Sequence, residues 1–180
     1  MESTNKTHPI HLHSDITLST VLNSIDTVLC DFSGTLWKKT KEPDSPTIKD
    51  VINGSQEAIK LFRKAGKKVI YVTSSITLRQ KDYVKRLKDF DFNPDVDIQD
   101  VFSPGYVLAR YLQAKHFKKK IFLVGKREQS ISEELDEVGI SSVRSEDSND
   151  NIMSGKIWSL KHGYNVIVSV SLARHYKRRD

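Results

Sequence analysis

The sequence predicts an α/β fold built on a parallel sheet. Short apolar runs alternate with segments of helical periodicity, the first runs end in polar or glycine-containing turns, and no internal repeat competes with this pattern. Strands that alternate with helices of about ten residues form right-handed βαβ units, in which consecutive strands lie parallel.

The first half of the chain supplies two strands and three helices. Residues 25–30 are apolar apart from Asp26 and Thr27, so we expect a strand that is buried on both faces. Gly66 is a typical stop for the helix before it. The predicted elements are a helix at 14–23, the strand at 25–30, a polar loop at 38–53, a helix at 55–65, a strand at 68–72 and a helix at 79–90.

The second half repeats the alternation. A helix at 106–115 is expected to turn Val107, Leu108, Tyr111 and Leu112 inward. The other predicted elements are a short strand or turn at 100–103, a strand at 121–125, a helix at 130–138 closed by Gly139, a loop at 144–150 and a last strand at 164–172.

Composition restricts the class of protein. A chain of 180 residues with 37% hydrophobic residues is long enough to bury a core, and no apolar run is long enough to span a bilayer. The N-terminus lacks the basic and then apolar layout of a signal peptide. A single cysteine cannot form an intramolecular disulfide, so we expect a reducing compartment and a cytoplasmic protein.

The net charge of +6 comes from short basic clusters, which lie at the ends of predicted elements. Aromatic residues are not interleaved with them, and a nucleic-acid surface would gather basic residues on one face. We therefore expect solvated surface and no nucleic-acid partner, although such a field would attract a small anionic substrate.

Polar residues follow two of the predicted strands, which would place them at one rim of a parallel sheet, where ligands bind. Asp31, Ser33, Gly34 and Thr35 follow the first strand, and Thr73–Ser75 follow the second. An aspartate here can attack phosphorus, hydroxyls can bind phosphoryl oxygens, and a glycine lets backbone N–H groups approach an anion. Mg²⁺ would bridge carboxylate and phosphate.

These motifs resemble those of haloacid-dehalogenase (HAD) superfamily phosphatases, in the branch with phosphoglycolate, pyridoxal-phosphate and p-nitrophenyl-phosphate phosphatases. Residues 25–37 are similar to the first motif of the family and residues 66–75 to its second. Residues 101–112 resemble the segment that leads into the cap domain, and residues 120–140 resemble the first part of that cap.

The resemblance implies a Rossmann-like core and hydrolysis of small phosphate monoesters through an aspartyl-phosphate intermediate. Asp31 would be the nucleophile and a Mg²⁺ ligand, and the backbone carbonyl of Ser33 a second ligand. Ser33 occupies the position of the usual acid–base aspartate. Gly34, Thr35 and Thr73–Ser75 would bind the substrate, with Ser74 and Ser75 in place of two asparagines.

The same resemblance leads us to expect impaired activity. A serine cannot replace the acid–base aspartate near neutral pH, which costs roughly 10²–10⁴ in rate. The family's phosphate-binding lysine and acidic magnesium pair, which follow the cap, have no counterpart in order after Asp31. The alternative is a non-catalytic relative that binds a phosphorylated ligand or a protein, and a homodimer or protein partner would cover the incomplete core.

The expected domains are a tail and short helix at 1–24, the first part of the core at 25–115, and a partial α/β cap with a basic tail at 116–180.

Some of the residues named above also have simpler, structural interpretations. The alternative for Thr73–Ser75 is that they only cap the next helix. Cys30 is expected to be a small buried hydrophobe, and Trp37 a loop anchor. His8, His11 and His13 are spaced for a metal but lie in a polar N-terminal tail.

Overall fold

The computed structural model of the chain describes residues 15–40, 46–125, 128–144 and 164–170. Within these ranges the chain forms two three-stranded parallel sheets with connecting helices, which confirms the α/β prediction. None of the described helices is long and apolar enough to cross a membrane. The three histidines of the N-terminal tail lie outside the described residues.

The first sheet has the order β1-β2-β3. Its register aligns the strand ends, since Asp31 of β1 lies opposite Val72 of β2, and Val72 lies opposite Phe102 of β3. Asp31 is therefore the last residue of the first strand. The elements are α1 (Asp15–Ser24), β1 (Thr27–Asp31), α2 (Ser55–Lys64), β2 (Lys68–Val72), α3 (Gln80–Asp89) and β3 (Val101–Phe102), with 3-10 turns at Ile48–Asp50 and Ile98–Asp100.

The second sheet places β4 between β5 and β6. Strand β5 was not predicted from the sequence, because three residues of mixed polarity carry no readable period. The elements are α4 (Pro104–Ala114), β4 (Lys120–Gly125), α5 (Gln129–Glu137), β5 (Ser142–Arg144) and β6 (Tyr164–Val170). The domain boundary expected at 115/116 stays a prediction, but α4 before it packs against α5 after it.

Each sheet has its own apolar core. Aromatic side chains dominate the first, and the rings of Phe32 and Trp37 lie 5.1 Å apart. Aliphatic side chains fill the second, among them Ile121, Leu123 and Leu135. Ile76 also belongs to the second core, although it follows β2 of the first sheet. The connection after β2 therefore reaches from one core to the other.

Two expectations about burial were wrong. Strand β1 is not covered on both faces, since Cys30 is buried whereas Leu29 is 70% exposed. The buried residues of β1 and β2 share one face, and β1 is an edge strand among the described elements. The expectation for helix α4 was wrong only in part. Leu108 and Leu112 pack against the second core as predicted, but Val107 and Tyr111 are exposed, and Gly105 and Ala109 are buried instead. A β-carbon on Gly105 would lie 3.3 Å from Cγ of Glu134, so the small residues are inward because they let α5 approach closely.

Candidate active site

Asp31 lies at the carboxyl end of β1 with an exposed side chain. The backbone N–H of Phe32 donates to its Oδ1 at 2.8 Å. This hydrogen bond orients the carboxylate from the following residue, while the ring of Phe32 is fully buried in the first core. The nucleophile candidate is thus an exposed carboxylate on a rigid support.

The turn after Asp31 is closed by its own backbone. The carbonyl of Phe32 accepts from the N–H groups of Thr35 at 3.2 Å and Leu36 at 2.8 Å, and the N–H of Gly34 donates to the carbonyl of Trp37 at 2.7 Å. Gly34 has a φ of 91°, in the left-handed region that glycine tolerates best. Since these N–H groups are used within the turn, anion binding by them would require the turn to open.

Trp37 anchors this turn, as predicted. Its side chain is 2% exposed, and its backbone bridges to Val51, while the N–H of Lys38 donates to the carbonyl of Asp50 at 2.8 Å. The turn is therefore held by the packing of Trp37 in the aromatic core and by backbone pairing with the segment before α2.

The second group of predicted residues forms a hydroxyl-rich turn. The N–H of Thr73 donates to the carbonyl of Phe102 at 3.1 Å, which fixes the start of the turn at the end of β3. The N–H of Ser75 donates to Oγ1 of Thr73 at 3.0 Å, and the hydroxyls of Ser75 and Thr77 lie 2.8 Å apart. Thr73 and Ser75 are half-buried, and Ser74 is exposed.

These residues do not cap the next helix. Helix α3 begins at Gln80, and the N–H of Arg79 donates to Oδ2 of Asp82 at 3.2 Å. The capping interpretation of Thr73–Ser75 is therefore wrong, and their hydroxyls are organised by the turn itself.

The register of β1 and β2 brings the two groups together. Because Asp31 lies opposite Val72, Thr73 is the next residue along the neighbouring strand. Adjacent strands lie about 4.8 Å apart, so the Asp31 carboxylate and the Thr73 turn share one edge of the sheet. This edge places an exposed carboxylate beside hydroxyl groups that suit an oxyanion.

The structure adds Lys39, which sequence reasoning assigned to solvated surface. Its Cε lies 3.4 Å from the position that a β-carbon on Gly34 would occupy, so its side chain lies over the turn after Asp31. Lys38 is exposed, and its backbone N–H pairs with the carbonyl of Asp50. The backbone pairing of Trp37 with Val51 is the signal, and it becomes visible only in the folded chain.

Cys30 is not the nucleophile. The side chain is 7% exposed, and burial, followed by the neighbouring charge of Asp31, raises the pKa of its thiol to about 11. The thiol therefore stays protonated near neutral pH and packs as a small hydrophobe, which confirms the prediction.

A family model described as haloacid dehalogenase-like hydrolase matches residues 28–141, which include both strand ends of this site. The chain belongs to this family.

Curated relatives of this HAD-like chain are phosphatases. It is 29% identical over 121 residues to phosphoglycolate phosphatase 1A, chloroplastic, of Arabidopsis thaliana, covering 66% of this chain and 30% of the relative. It is 27% identical over 126 residues to 4-nitrophenylphosphatase of Schizosaccharomyces pombe, covering 68% and 38%. The chain thus spans less than half the length of these relatives.

Solved structures support the fold assignment. A p-nitrophenyl phosphatase from Archaeoglobus fulgidus superposes with a TM-score of 0.54 at 23% identity, over 66% of this chain and 40% of that one. Glycerol phosphate phosphatase Rv1692 from Mycobacterium tuberculosis, solved in complex with magnesium, gives a TM-score of 0.54 at 16% identity. At these identities the likeness shows the HAD-like fold alone.

Magnesium is the ion that the HAD-like family implies. Within the described ranges, no group of three or more histidine, cysteine, aspartate and glutamate side chains is placed to hold a metal. Mg²⁺ is nevertheless often bound by one or two carboxylates together with substrate phosphate and water. The exposed carboxylate of Asp31 at the end of β1 is a ligand of the type that such a site uses, and the ion would neutralise phosphate charge once a substrate is bound.

Proposed function

We propose that this chain binds phosphate monoesters at the carboxyl edge of the first sheet and transfers their phosphoryl group to Asp31. The observation that carries the proposal is the register of β1 and β2, which places the exposed Asp31 carboxylate beside the hydroxyl turn that begins at Thr73. Family membership supports it independently.

In the proposed reaction a carboxylate oxygen of Asp31 attacks phosphorus and forms an acyl phosphate. The ester P–O bond breaks, and its electron pair leaves with the alcohol oxygen, which takes a proton from solvent. Hydrolysis of the acyl phosphate would then return the free aspartate and inorganic phosphate.

Thr73 would bind the phosphoryl group through its hydroxyl. Because Oγ1 of Thr73 already accepts the N–H of Ser75, its own hydrogen is available to a second acceptor such as a phosphoryl oxygen. The exposed hydroxyls of Ser74 and Thr35 would add further donors, and the ammonium of Lys39 would attract the dianion.

Ser33 determines which substrates react. A serine hydroxyl neither protonates a leaving oxygen nor activates water near neutral pH, so both steps lose roughly 10²–10⁴ in rate. Aryl phosphates release a stabilised phenolate that needs no proton, whereas alkyl phosphates release a strongly basic alkoxide. We therefore expect phosphorylation of Asp31 by aryl phosphates and slow hydrolysis afterwards.

A burst experiment tests this proposal. Purified protein mixed with p-nitrophenyl phosphate and Mg²⁺ should release about one equivalent of p-nitrophenolate rapidly and then turn over slowly. Asp31→Asn should show no burst. Ser33→Asp should raise the slow rate, and it should help alkyl phosphates more than aryl phosphates. A wild-type trace identical to that of Asp31→Asn would reject phosphoryl transfer.

The second candidate function is phosphate binding without chemistry. It is favoured by Ser33, whose hydroxyl supplies neither the general acid nor the general base that the chemistry needs. In that case inorganic phosphate would bind with measurable heat, the affinity would fall on substitution of Thr73, and Asp31→Asn would bind phosphate as well as or better than wild type.

A further inference from the structure

The residues that join β2 to α3 connect the proposed phosphate site to the second sheet. We call residues 73–79 the connector. It begins at Thr73, whose N–H is bonded to Phe102 of β3. Its fourth residue, Ile76, lies in the second core, where the side chain is 7% exposed and packs among residues of β4 and α5.

Helix α5 holds the middle of the connector. The hydroxyl of Ser130 donates to the backbone carbonyl of Ile76, and the Ser130 side chain is 8% exposed. Both the side chain and the carbonyl of Ile76 therefore have their partners in the second half of the molecule. A buried carbonyl needs a hydrogen-bond donor from the protein, because water cannot readily reach it to take the place of that donor.

Helix α5 also holds the residues at the end of the connector. The N–H of Gln80 donates to Oε1 of Glu134 at 2.6 Å. Arg79 forms an ion pair with Glu133 at 2.7 Å. Lys81 pairs with Glu137 at 2.7 Å on the exposed side of this contact. The contacts follow the same order along α5 as along the connector and the start of α3. Helix α5 therefore binds the connector and the first turn of α3 together.

Only two residues separate the two fixed points around the hydroxyl turn. Thr73 is bound to β3 and Ile76 to α5, and the intervening Ser75 is bonded to Thr73 and Thr77. A chain this short has few alternative paths while both ends are held. Release of the Ile76 end would let the hydroxyls of Ser74 and Ser75 move away from the Asp31 edge.

We propose that Ser130, through Ile76, is a positioning residue for phosphate binding at the Thr73 turn. The second sheet would then influence the phosphate affinity of the first through this connector. The proposal rests on the proposed function, because it concerns the same phosphate site. Ser130 itself lies outside that site, and its hydroxyl donates to the carbonyl of Ile76, which follows the turn.

A matched pair of serines on α5 provides the test. Ser130→Ala removes the contact with Ile76. Ser132→Ala removes a contact between α5 and β5, in which the hydroxyl oxygens of Ser132 and Ser142 lie 2.8 Å apart. Calorimetric titration with inorganic phosphate should show an affinity about tenfold lower for Ser130→Ala, the effect of losing one restraining hydrogen bond. Ser132→Ala should bind phosphate like wild type, and Ser130→Thr, which keeps the hydroxyl, should restore most of the affinity.

Hydrogen exchange gives a local readout that requires no ligand. The Ser75 N–H should exchange about tenfold faster in Ser130→Ala and at the wild-type rate in Ser132→Ala, at matched thermal stability. Should Ser130→Ala fold poorly, Ile76→Val loosens the same anchor mildly and should shift both readouts in the same direction. Unchanged exchange, or unchanged phosphate affinity in a variant with faster exchange, overturns the positioning role. A wild-type protein that binds no phosphate overturns the proposed function instead.

Discussion

Glu134 offers the sharpest test of how the two halves of the molecule are joined. Its side chain is 4% exposed, and its Oε1 accepts the N–H of Gln80 at 2.6 Å. Burial raises the pKa of this carboxyl, and the negative charge of Glu137 raises it by a smaller amount. The hydrogen bond from the Gln80 N–H and the positive charges of Arg79 and Lys81 lower it. The net effect is a raised pKa.

The sign of the pH dependence follows from this direction. Between the ordinary pKa of 4.5 and the raised folded value, the folded state holds more protons on Glu134 than the unfolded state does. The contribution of Glu134 to stability is therefore fully present below the ordinary pKa. It is lost as the pH rises through the folded pKa, so near neutral pH the buried charge is a cost.

Two substitutions separate the charge from the hydrogen bond. Glu134→Gln removes the charge but keeps an oxygen that can accept from Gln80, so near pH 7 its free energy of unfolding should equal or exceed that of wild type. Glu134→Leu leaves the buried Gln80 N–H without an acceptor, which should cost about 1–3 kcal/mol. The difference between wild type and Glu134→Gln should shrink as the pH falls to about 4.5.

Urea unfolding at several pH values measures these free energies. A Glu134→Gln variant as unstable as Glu134→Leu near neutral pH would show that the buried charge is not a cost. So would a wild type that gains stability over Glu134→Gln as the pH rises from acidic to neutral.

Three further predictions concern the residues around Asp31. Lys39→Met should weaken phosphate binding by roughly three- to tenfold at low salt, whereas Lys38→Met should change it little. Calorimetric titration with phosphate measures both affinities. Equal effects of the two substitutions would show that Lys39 is not part of the site. Gly34→Ala should lower the free energy of unfolding by about 1–2 kcal/mol in urea titrations, because the φ of 91° strains any residue with a β-carbon; an unchanged midpoint would contradict that conformation. Cys30 should resist iodoacetamide in the folded protein near pH 8 and react readily in urea, because its raised pKa and burial protect it; rapid labelling without urea would contradict its placement.

Local sequence patterns predicted the parts of the fold that depend on neighbouring residues. Strand β2 has the predicted bounds, because a glycine and two lysines precede the apolar run at 69–72 and three hydroxyl residues follow it. The position of Asp31 beside the Thr73 turn followed from the rule that parallel strands share their carboxyl edge.

The remaining features depend on contacts between distant segments. The inward face of α4 is set by Gly105, which is small enough to let α5 approach, and hydrophobic periodicity favoured Val107 and Tyr111 instead. Ile76 sits in a polar stretch of sequence, and nothing local indicates that it belongs to the core of the second sheet. Lys39 lies over Gly34 in the folded turn, next to Trp37, whose backbone bridges to Ser33 and Val51.

The central claim is that Asp31 accepts a phosphoryl group, and peptide mass spectrometry tests it most directly. Protein incubated with p-nitrophenyl phosphate and Mg²⁺, then quenched in acid, should yield a peptide that carries one phosphoryl group on Asp31. The group should be released by hydroxylamine, as expected of an acyl phosphate, and should be absent from Asp31→Asn. A wild-type peptide that stays unmodified, or a phosphoryl group found on Ser33 or Thr73 instead, would contradict the proposed function.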